Sequence, residues 1–196
     1  TLEPTGIQGL GIYANGFRSV TNSKKPIKTP ADLKGLKLRV IESTALIKTF
    51  EDFGAIPQAM SWGEVYSSIQ QGTIDGQENP AYAVLSGSMA EVQKYYSLTQ
   101  HTASFGCLLA SSATLNKLSE EDQEIIYKAS EEAIAYMVSY IQSDEQKCMD
   151  ELKKQGMEIN EVDNLEDFKA LATSAYSWFE SQYDTAFLTK IQDLLK

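Results

Sequence analysis

The sequence contains few of the side chains from which metal and nucleophilic sites are built. It has one histidine, His101, and two cysteines, Cys107 and Cys148, with no C-x-x-C spacing. Because a structural zinc ion is held by four such ligands, we expect no metal site, and nothing indicates another cofactor. We interpret both cysteines as small buried residues and His101 as structural. A disulfide between Cys107 and Cys148 stays open if the compartment is oxidising.

Basic charge and long apolar stretches are also lacking. The chain has 17 Lys and Arg against 27 Asp and Glu, a formal net charge of -10. This balance disfavours a nucleic-acid partner, because phosphate binding needs clustered cations. No run is long and apolar enough to span a bilayer. No secretory signal is present and the first residue is Thr1, so we expect a processed product, an expressed fragment or an internal piece.

Strand and helix signals alternate between residues 36 and 80. The branched run 36–41 predicts a strand, Ser43 caps a helix that Gly54 ends, and a second strand and a second helix follow. Short connections between such elements are typical of α/β folds. Outside this region we predict strands at 9–13, 95–101 and 103–110, with a turn at Asn15-Gly16.

A single long helix is predicted from Glu120 to Gln155. Apolar residues recur there at helical spacing, without Pro or Gly. About 35 residues at ~1.5 Å each extend roughly 50 Å, more than the width of a small lobe. The helix therefore either forms a coiled coil or bridges two lobes, and the interrupted apolar stripe favours bridging. A short strand at 157–159 and amphipathic helices at 165–187 and 188–195 follow.

Arg39 is the residue best suited to bind an anion. It lies within an otherwise apolar strand, where an unpaired buried charge is costly, so it either faces solvent or points into a cleft. In a cleft, its planar fork would donate two parallel hydrogen bonds to a carboxylate. Asn79 precedes Pro80 at a strand's carboxyl end, where open α/β sheets bind ligands. Taken alone, Arg18 is more typical of a surface residue and Trp62 of a core residue.

Catalytic residues are harder to identify. No Ser, Cys or Lys lies in a recognisable nucleophile motif such as G-x-S-x-G. Asp75 and Glu78 could form an acid–base pair, but such a pair cannot be distinguished from surface acids in a chain with 27 of them. We therefore expect a binding protein rather than an enzyme.

Four short segments carry a resemblance to a known family. They are residues 15–18 (NGFR), 32–40 (DLKGLKLRV), 62–66 (WGEVY) and 75–80 (DGQENP). Together they resemble the solute-binding subunits of tripartite ATP-independent periplasmic (TRAP) transporters, the DctP-type family. The similarity continues through residues 92–96 and 118–122 into the long helix and covers nearly the whole chain.

The resemblance implies an α/β fold, a periplasmic-binding-protein-like two-lobed clamp with a long lobe-spanning helix. Residues 1–104 would form the ligand-binding part of the second lobe, and 105–144 would return to the first lobe with the start of the long helix. Residues 145–196 would complete that helix and add C-terminal helices to the second lobe. The family has a further segment ahead of the position of Thr1, so we expect the first lobe to be incomplete in this chain.

The resemblance also implies roles for single residues. In the family, the Arg matching Arg39 holds the ligand carboxylate and the Asn matching Asn79 assists it. The Arg matching Arg18 lines the cleft, and an aromatic residue at the position of Trp62 packs against the ligand body. Glu42 departs from the Pro-Asn that follows the Arg in sialic-acid binders. It would repel a second carboxylate and accept hydrogen bonds from hydroxyls, which favours a hydroxylated monocarboxylate over a dicarboxylate.

The implied function is the capture of an organic acid, such as a sugar acid, for the membrane permease subunits of a TRAP transporter. The implied location is periplasmic or extracytoplasmic, and a lipid anchor on the full-length protein and a homodimer are left open. Two alternatives also stay open. One is a hydrolase or lyase that acts on acidic sugars through the region of Asp75 and Glu78, and the other is an interaction protein that oligomerises through its long helix.

Overall fold

The computed structural model describes residues 2–194, which form a six-stranded mixed sheet with helices packed on both faces. The strands are β1 (Ile7–Asn22), β2 (Lys37–Val40), β3 (Ile56–Ala59), β4 (Gly76–Asn79), β5 (Tyr95–Ser111) and β6 (Glu158–Glu161). The α-helices are α1 (Thr44–Asp52), α2 (Trp62–Gln70), α3 (Ala81–Ser86), α4 (Ser112–Leu115), α5 (Glu120–Lys154), α6 (Leu165–Leu171), α7 (Thr173–Gln182) and α8 (Ala186–Leu194). The order of strands in the sheet is β3-β2-β4-β1-β5-β6. The predicted α/β class is confirmed.

The alternation predicted between residues 36 and 80 forms the parallel part of the sheet. β2 pairs in parallel with β3 and β4, so that Arg39 lies opposite Gln58 on one side and Gln77 on the other. Ser43 caps α1 as predicted, and its side chain accepts a hydrogen bond from a backbone N–H in the first turn. Because parallel strands end at the same edge, the residues that end β2, β3 and β4 lie together.

β1 is much longer than the predicted strand at 9–13. The predicted turn at Asn15-Gly16 is wrong, because β1 continues to Asn22 with β5 as its partner. Between Ala14 and Phe17, β1 contains one residue more than the paired part of β5. The extra residue is absorbed in a bulge, where Gly16 adopts a φ of 96° that glycine accepts at little cost.

β5 is one strand rather than the two predicted at 95–101 and 103–110. Gln100 has a φ of 42°, and it lies opposite the shift in register between Arg18 and Val20 on β1. An irregularity of this kind bends a strand without ending its pairing. The boundary predicted between the strands at 95–101 and 103–110 is therefore a bend within one strand.

The hydrophobic core lies in two layers, one on each face of the sheet. One layer packs α1 and α6 against the sheet and is built around Leu38, Phe50 and Phe168. The other packs α2, α3 and the end of α5, and it includes Val65 and Leu152. Successive strand residues point to opposite faces; β2 contributes Leu38 and Val40 to the first layer, and β6 contributes Ile159 to the second.

α5 confirms the predicted long helix, but much of it is sparsely covered. Its last part enters the second core layer through Cys148 and Leu152. Between residues 105 and 144, only Leu115 and Ser130 are buried among the side chains that the structure describes. The division into 1–104, 105–144 and 145–196 stays a prediction. No helix within the described ranges is long and apolar enough to cross a membrane.

The C-terminal helices differ from the prediction. The stretch 165–187 is not one helix, because α6 ends at Leu171 and α7 occupies Thr173–Gln182. At the break, both the backbone N–H and the hydroxyl of Ser174 donate hydrogen bonds to the Asp52 carboxylate of α1. This tertiary contact lies where the first helix ends and the next begins. The helix predicted at 188–195 falls within α8 up to Leu194, and residue 195 lies outside the described residues.

The two cysteines lie in different environments. Cys148 is buried, as predicted, whereas Cys107 is exposed on β5, so its predicted burial is wrong. Cys107 belongs to the part of β5 that extends beyond the two core layers. Both thiols are free in the structure.

Candidate carboxylate-binding site

Arg39 carries a buried charge that is only partly matched. The residue is 4% exposed, and its Nε donates a hydrogen bond to the backbone carbonyl of Met60 at 2.9 Å. Among residues 2–194, its two terminal amino groups have no hydrogen-bond or ion-pair partner, and because no fully buried side-chain N or O atom there lacks a partner, these two groups reach solvent. Burial lowers the pKa of this guanidinium, and the nearby charge of Glu78 opposes that effect. An arginine stays charged at neutral pH even so.

Trp62 holds the guanidinium from one side. It is the first residue of α2 and follows shortly after the Met60 carbonyl that Arg39 binds. The Arg39 Cζ lies 5.7 Å from the centre of the Trp62 ring, within the range of a cation–π interaction. The residue is 40% exposed, so part of the ring remains open. Behind the ring, a Cβ at Gly87 would lie 2.6 Å from Trp62 Cζ2, which explains why no side chain stands there.

Asn79 ends β4, one strand away from Arg39, and hydrogen bonds fix it in place. Its Nδ2 donates to Gln77 Oε1 at 2.5 Å, and Gln77 Nε2 donates to Thr21 Oγ1 at 2.7 Å. Its backbone carbonyl accepts a hydrogen bond from the Tyr96 hydroxyl at 3.2 Å. The amide of Asn79 is therefore held at the same edge of the sheet that carries Arg39.

Arg18 is buried, and its charge is matched by Glu78. Arg18 Nε donates to Glu78 Oε2 at 2.5 Å, and Nη2 donates to Glu78 Oε1 at 2.8 Å and to its backbone carbonyl at 2.7 Å. This is the parallel pairing of an arginine fork with a carboxylate. The structure thus gives Arg18 a partner from its own chain, whereas the terminal amino groups of Arg39 have none.

His101 completes a buried cluster with Arg18 and Glu78. Its Nε2 lies 3.1 Å from Glu78 Oε2, its Nδ1 lies 2.8 Å from the Thr99 hydroxyl, and its ring packs edge-on against Phe50. Burial alone would raise the pKa of Glu78, but the hydrogen bonds from His101 and Arg18 outweigh it and hold that pKa below its usual value. The sequence offered no sign of this cluster, since its members come from three separate strands.

The predicted acid–base candidates have separate partners. Asp75 Oδ2 accepts a hydrogen bond from the Lys37 backbone N–H at 2.9 Å, and Asp75 Oδ1 lies 3.4 Å from Lys24 Nζ. Glu78 is fully buried in its cluster with Arg18 and His101. The two carboxylates therefore do not share a proton or a common opening.

Glu42 follows β2 on the exposed side of the edge. No hydrogen bond or ion pair ties its carboxylate to any of residues 2–194, and its charge contributes to the electrostatic surroundings of Arg39. It is therefore free to meet a ligand that approaches Arg39 from solvent.

A groove of about 620 Å³ opens beside Arg18 and His101. It reaches Ile41, two residues after Arg39 in the chain, although Arg39 itself does not line it. Apolar side chains of α7 and α8 form one wall. Besides Arg18 and His101, the polar part of the lining includes the hydroxyl groups of Ser43, Thr49, Thr102 and Ser104. The edge of the sheet thus combines one unmatched cation with a nearby space lined by hydroxyls.

Comparison with known proteins assigns the chain to a family. The model of the bacterial extracellular solute-binding proteins, family 7 (DctP), matches residues 1–182. The chain belongs to this family. Solute-binding proteins of this kind are periplasmic, and the resemblance noted from the four sequence segments is confirmed.

Relatives and solved structures agree with this assignment. The 2,3-diketo-L-gulonate-binding periplasmic protein YiaO of Escherichia coli is 42% identical over 159 residues, which are 81% of this chain and 48% of YiaO. A TRAP periplasmic solute-binding protein of Chromohalobacter salexigens with bound D-glucuronate is 32% identical with a TM-score of 0.94, and the match covers 98% of this chain and 64% of that one. One from Polaromonas bound to D-erythronate is 36% identical with a TM-score of 0.92, covering 97% and 63%. The chain spans about half the length of the curated relatives it matches.

Proposed function

We propose that this protein captures a hydroxylated monocarboxylate, such as a sugar acid, and that Arg39 is the anchor for the carboxylate. The observation that carries the proposal is the guanidinium of Arg39, which is buried, fixed by Met60 and Trp62, and left with two unpaired terminal amino groups. A carboxylate is the anion whose geometry fits such a fork. Asn79, at the end of the neighbouring strand β4, would assist Arg39 in binding the ligand.

The choice of a hydroxylated ligand rests on two features near Arg39 and on the ligands named for relatives. The groove that reaches Ile41 carries hydroxyl groups, and the cation in its lining, Arg18, is already paired with Glu78. Glu42 stands free near Arg39, where it would repel a second carboxylate and accept hydrogen bonds from ligand hydroxyls. The ligands named for the three relatives, diketogulonate, glucuronate and erythronate, are all hydroxylated acids with one carboxylate.

Capture would proceed without covalent chemistry. The acid docks on Arg39, a second lobe closes over it, and the membrane permease subunits of a TRAP-type transporter receive the closed form. β1, β5 and α5, which extend beyond the core layers, would link the two lobes. The protein would act outside the cytoplasmic membrane.

The test is a calorimetric titration of the full-length gene product with D-glucuronate and D-erythronate, with neutral glucose as a blank. A hydrogen bond to a charged group contributes ~1.5–3 kcal/mol, so loss of two such bonds in Arg39→Ala should weaken binding at least about a hundredfold. Arg39→Lys should fail as well, because a point charge cannot reproduce the fork. Lys37→Ala removes an exposed charge from the same strand and serves as the control. Equal affinities of Arg39→Ala and Lys37→Ala would refute the proposal.

The role of Glu42 is tested separately with succinate, a dicarboxylate without hydroxyls. Wild-type protein should prefer D-erythronate to succinate. In Glu42→Gln, the ratio of the two affinities should fall by about fivefold, since one exposed like-charge contact is removed. An unchanged ratio would assign the preference to the groove instead.

A further inference from the structure

A second cavity, of about 350 Å³, lies between α3 and α5. Its lining comes from the bulge in β1, from α3 directly after Pro80, and from α5. Neither Arg39 nor Trp62 takes part in it. The inner lining is apolar and consists of Ala81, Leu85, Met137 and Ile141. A cavity of this size suits a small organic molecule and is too small for a macromolecule.

The rim of this cavity combines aromatic rings with carboxylates. Tyr82 and Tyr140 line it and are both partly exposed, and Asp144 and Glu145 lie beside Tyr140 on α5. The Tyr82 hydroxyl accepts a hydrogen bond from Asn15 Nδ2, which fixes the ring at the mouth. Aromatic faces and carboxylates both attract ammonium groups, and neither attracts an anion.

The charge at the rim is not neutralised by the chain itself. Glu145 has no hydrogen-bond or ion-pair partner within the part of the chain that the structure describes. Asp144 lies 3.6 Å from Lys147 Nζ and accepts a hydrogen bond from the Cys148 thiol at 3.5 Å. Burial, with the neighbouring carboxylates, raises the pKa of Cys148 to about 11, so the thiol adds no charge of its own at neutral pH. The mouth therefore keeps an unmatched negative charge.

We propose that this cavity is a binding site for a small organic cation, an ammonium group carried on an apolar body about the size of an aromatic ring. The apolar body would fill the space between α3 and α5, and the ammonium would lie at the rim between the tyrosine rings and the Glu145 carboxylate. This site is separate from the carboxylate site, so it stands whether or not Arg39 binds an acid.

The first test uses phenethylammonium as the probe, titrated into the full chain and followed by saturation-transfer NMR. Neutral 2-phenylethanol and anionic phenylacetate share its apolar body and serve as matched probes. We expect saturable binding of the cation, weaker binding of the alcohol and none of the acid. Glu145→Gln should weaken binding of the cation about fivefold. Glu132→Gln removes the same charge from an exposed position of α5 outside the cavity, and it should have no effect.

A second variant fixes the location of the bound probe. Ser86 lies on the rim and is exposed, so Ser86→Trp should occupy the mouth without disturbing the core, and binding should be lost. The proposal is overturned by any of three results: equal affinity for the cation and the alcohol, equal effects of Glu145→Gln and Glu132→Gln, or unchanged binding in Ser86→Trp with a wild-type melting temperature.

Discussion

The ion cluster around Glu78 allows a quantitative test, because the chain also contains a matched ion pair at the surface. Glu78 binds Arg18 at 2.5 Å, and both side chains are almost inaccessible to solvent, with 0% and 10% exposed. Glu158 binds Lys94 at 3.0 Å, but 60% and 56% of these side chains are exposed. The same substitution, Glu to Gln, can therefore be made in a buried pair, in which Arg18 and His101 both contact the carboxylate, and in an exposed pair with a single lysine contact.

The two substitutions should differ strongly in cost. Glu78→Gln leaves the buried guanidinium of Arg18 without a counterion, and breaking a buried pair in this way costs about 3–5 kcal/mol. Glu158→Gln removes a pair that water already screens, so we expect only a small fraction of that cost. For a chain of this length, the loss at Glu78 corresponds to a fall in melting temperature of about 10 °C.

Urea unfolding followed by tryptophan fluorescence measures both variants under the same conditions. A third variant, the double substitution Arg18→Met and Glu78→Met, distinguishes the cost of losing one partner from the cost of losing the whole ion pair. Replacing both charges by apolar side chains should cost less than Glu78→Gln alone, because no buried charge is left unpaired. If Glu78→Gln lowers the free energy of unfolding no more than Glu158→Gln does, burial does not make the ion pair of Glu78 and Arg18 important for stability.

Two further predictions follow from the same edge of the sheet. The folded-state pKa of Glu78 lies below its ordinary value of 4.5. The stability that this carboxylate contributes is therefore present above that pH and is lost as the pH falls through the folded-state pKa. When the unfolding free energy is measured against pH in acid, Glu78→Gln should give a flatter curve than wild type. Gly87→Ala pushes a methyl group against the indole ring that holds the guanidinium, and affinity for D-glucuronate should fall several-fold. Gly63→Ala meets no atom within 4 Å, so calorimetry should show an unchanged affinity there.

The parallel part of the fold could be predicted because its signals are local. The branched strand around Arg39, the cap at Ser43 and the glycine that ends α1 each lie within a few residues of the element they define. The long helix from Glu120 was predictable for the same reason, since its periodicity and its cap need no tertiary information. The lobe boundaries inferred around this helix stay a prediction.

The misjudged elements all depend on a distant partner. Asn15-Gly16 has the composition of a turn, yet β5 pairs on both sides of it and converts it into a bulge. At the interruption after Leu171, Asp52, which lies far away in the sequence, binds Ser174. A local pattern cannot reveal such contacts, because the energy that decides the conformation comes from the partner.

The same distinction applies to the two site arginines. The sequence predicts a strand around Arg39 but not around Arg18, and the structure places both on strands with different surroundings. Arg18 is paired by Glu78, whereas the terminal amino groups of Arg39 have no carboxylate partner within the described residues. A shortage of acids is not the reason, since the chain has 27 acidic residues against 17 basic ones. The fold holds the Arg39 guanidinium through Nε and Trp62 and keeps its terminal amino groups apart from the chain's own carboxylates. In an acidic protein, such a guanidinium is positioned for an anion from outside the chain.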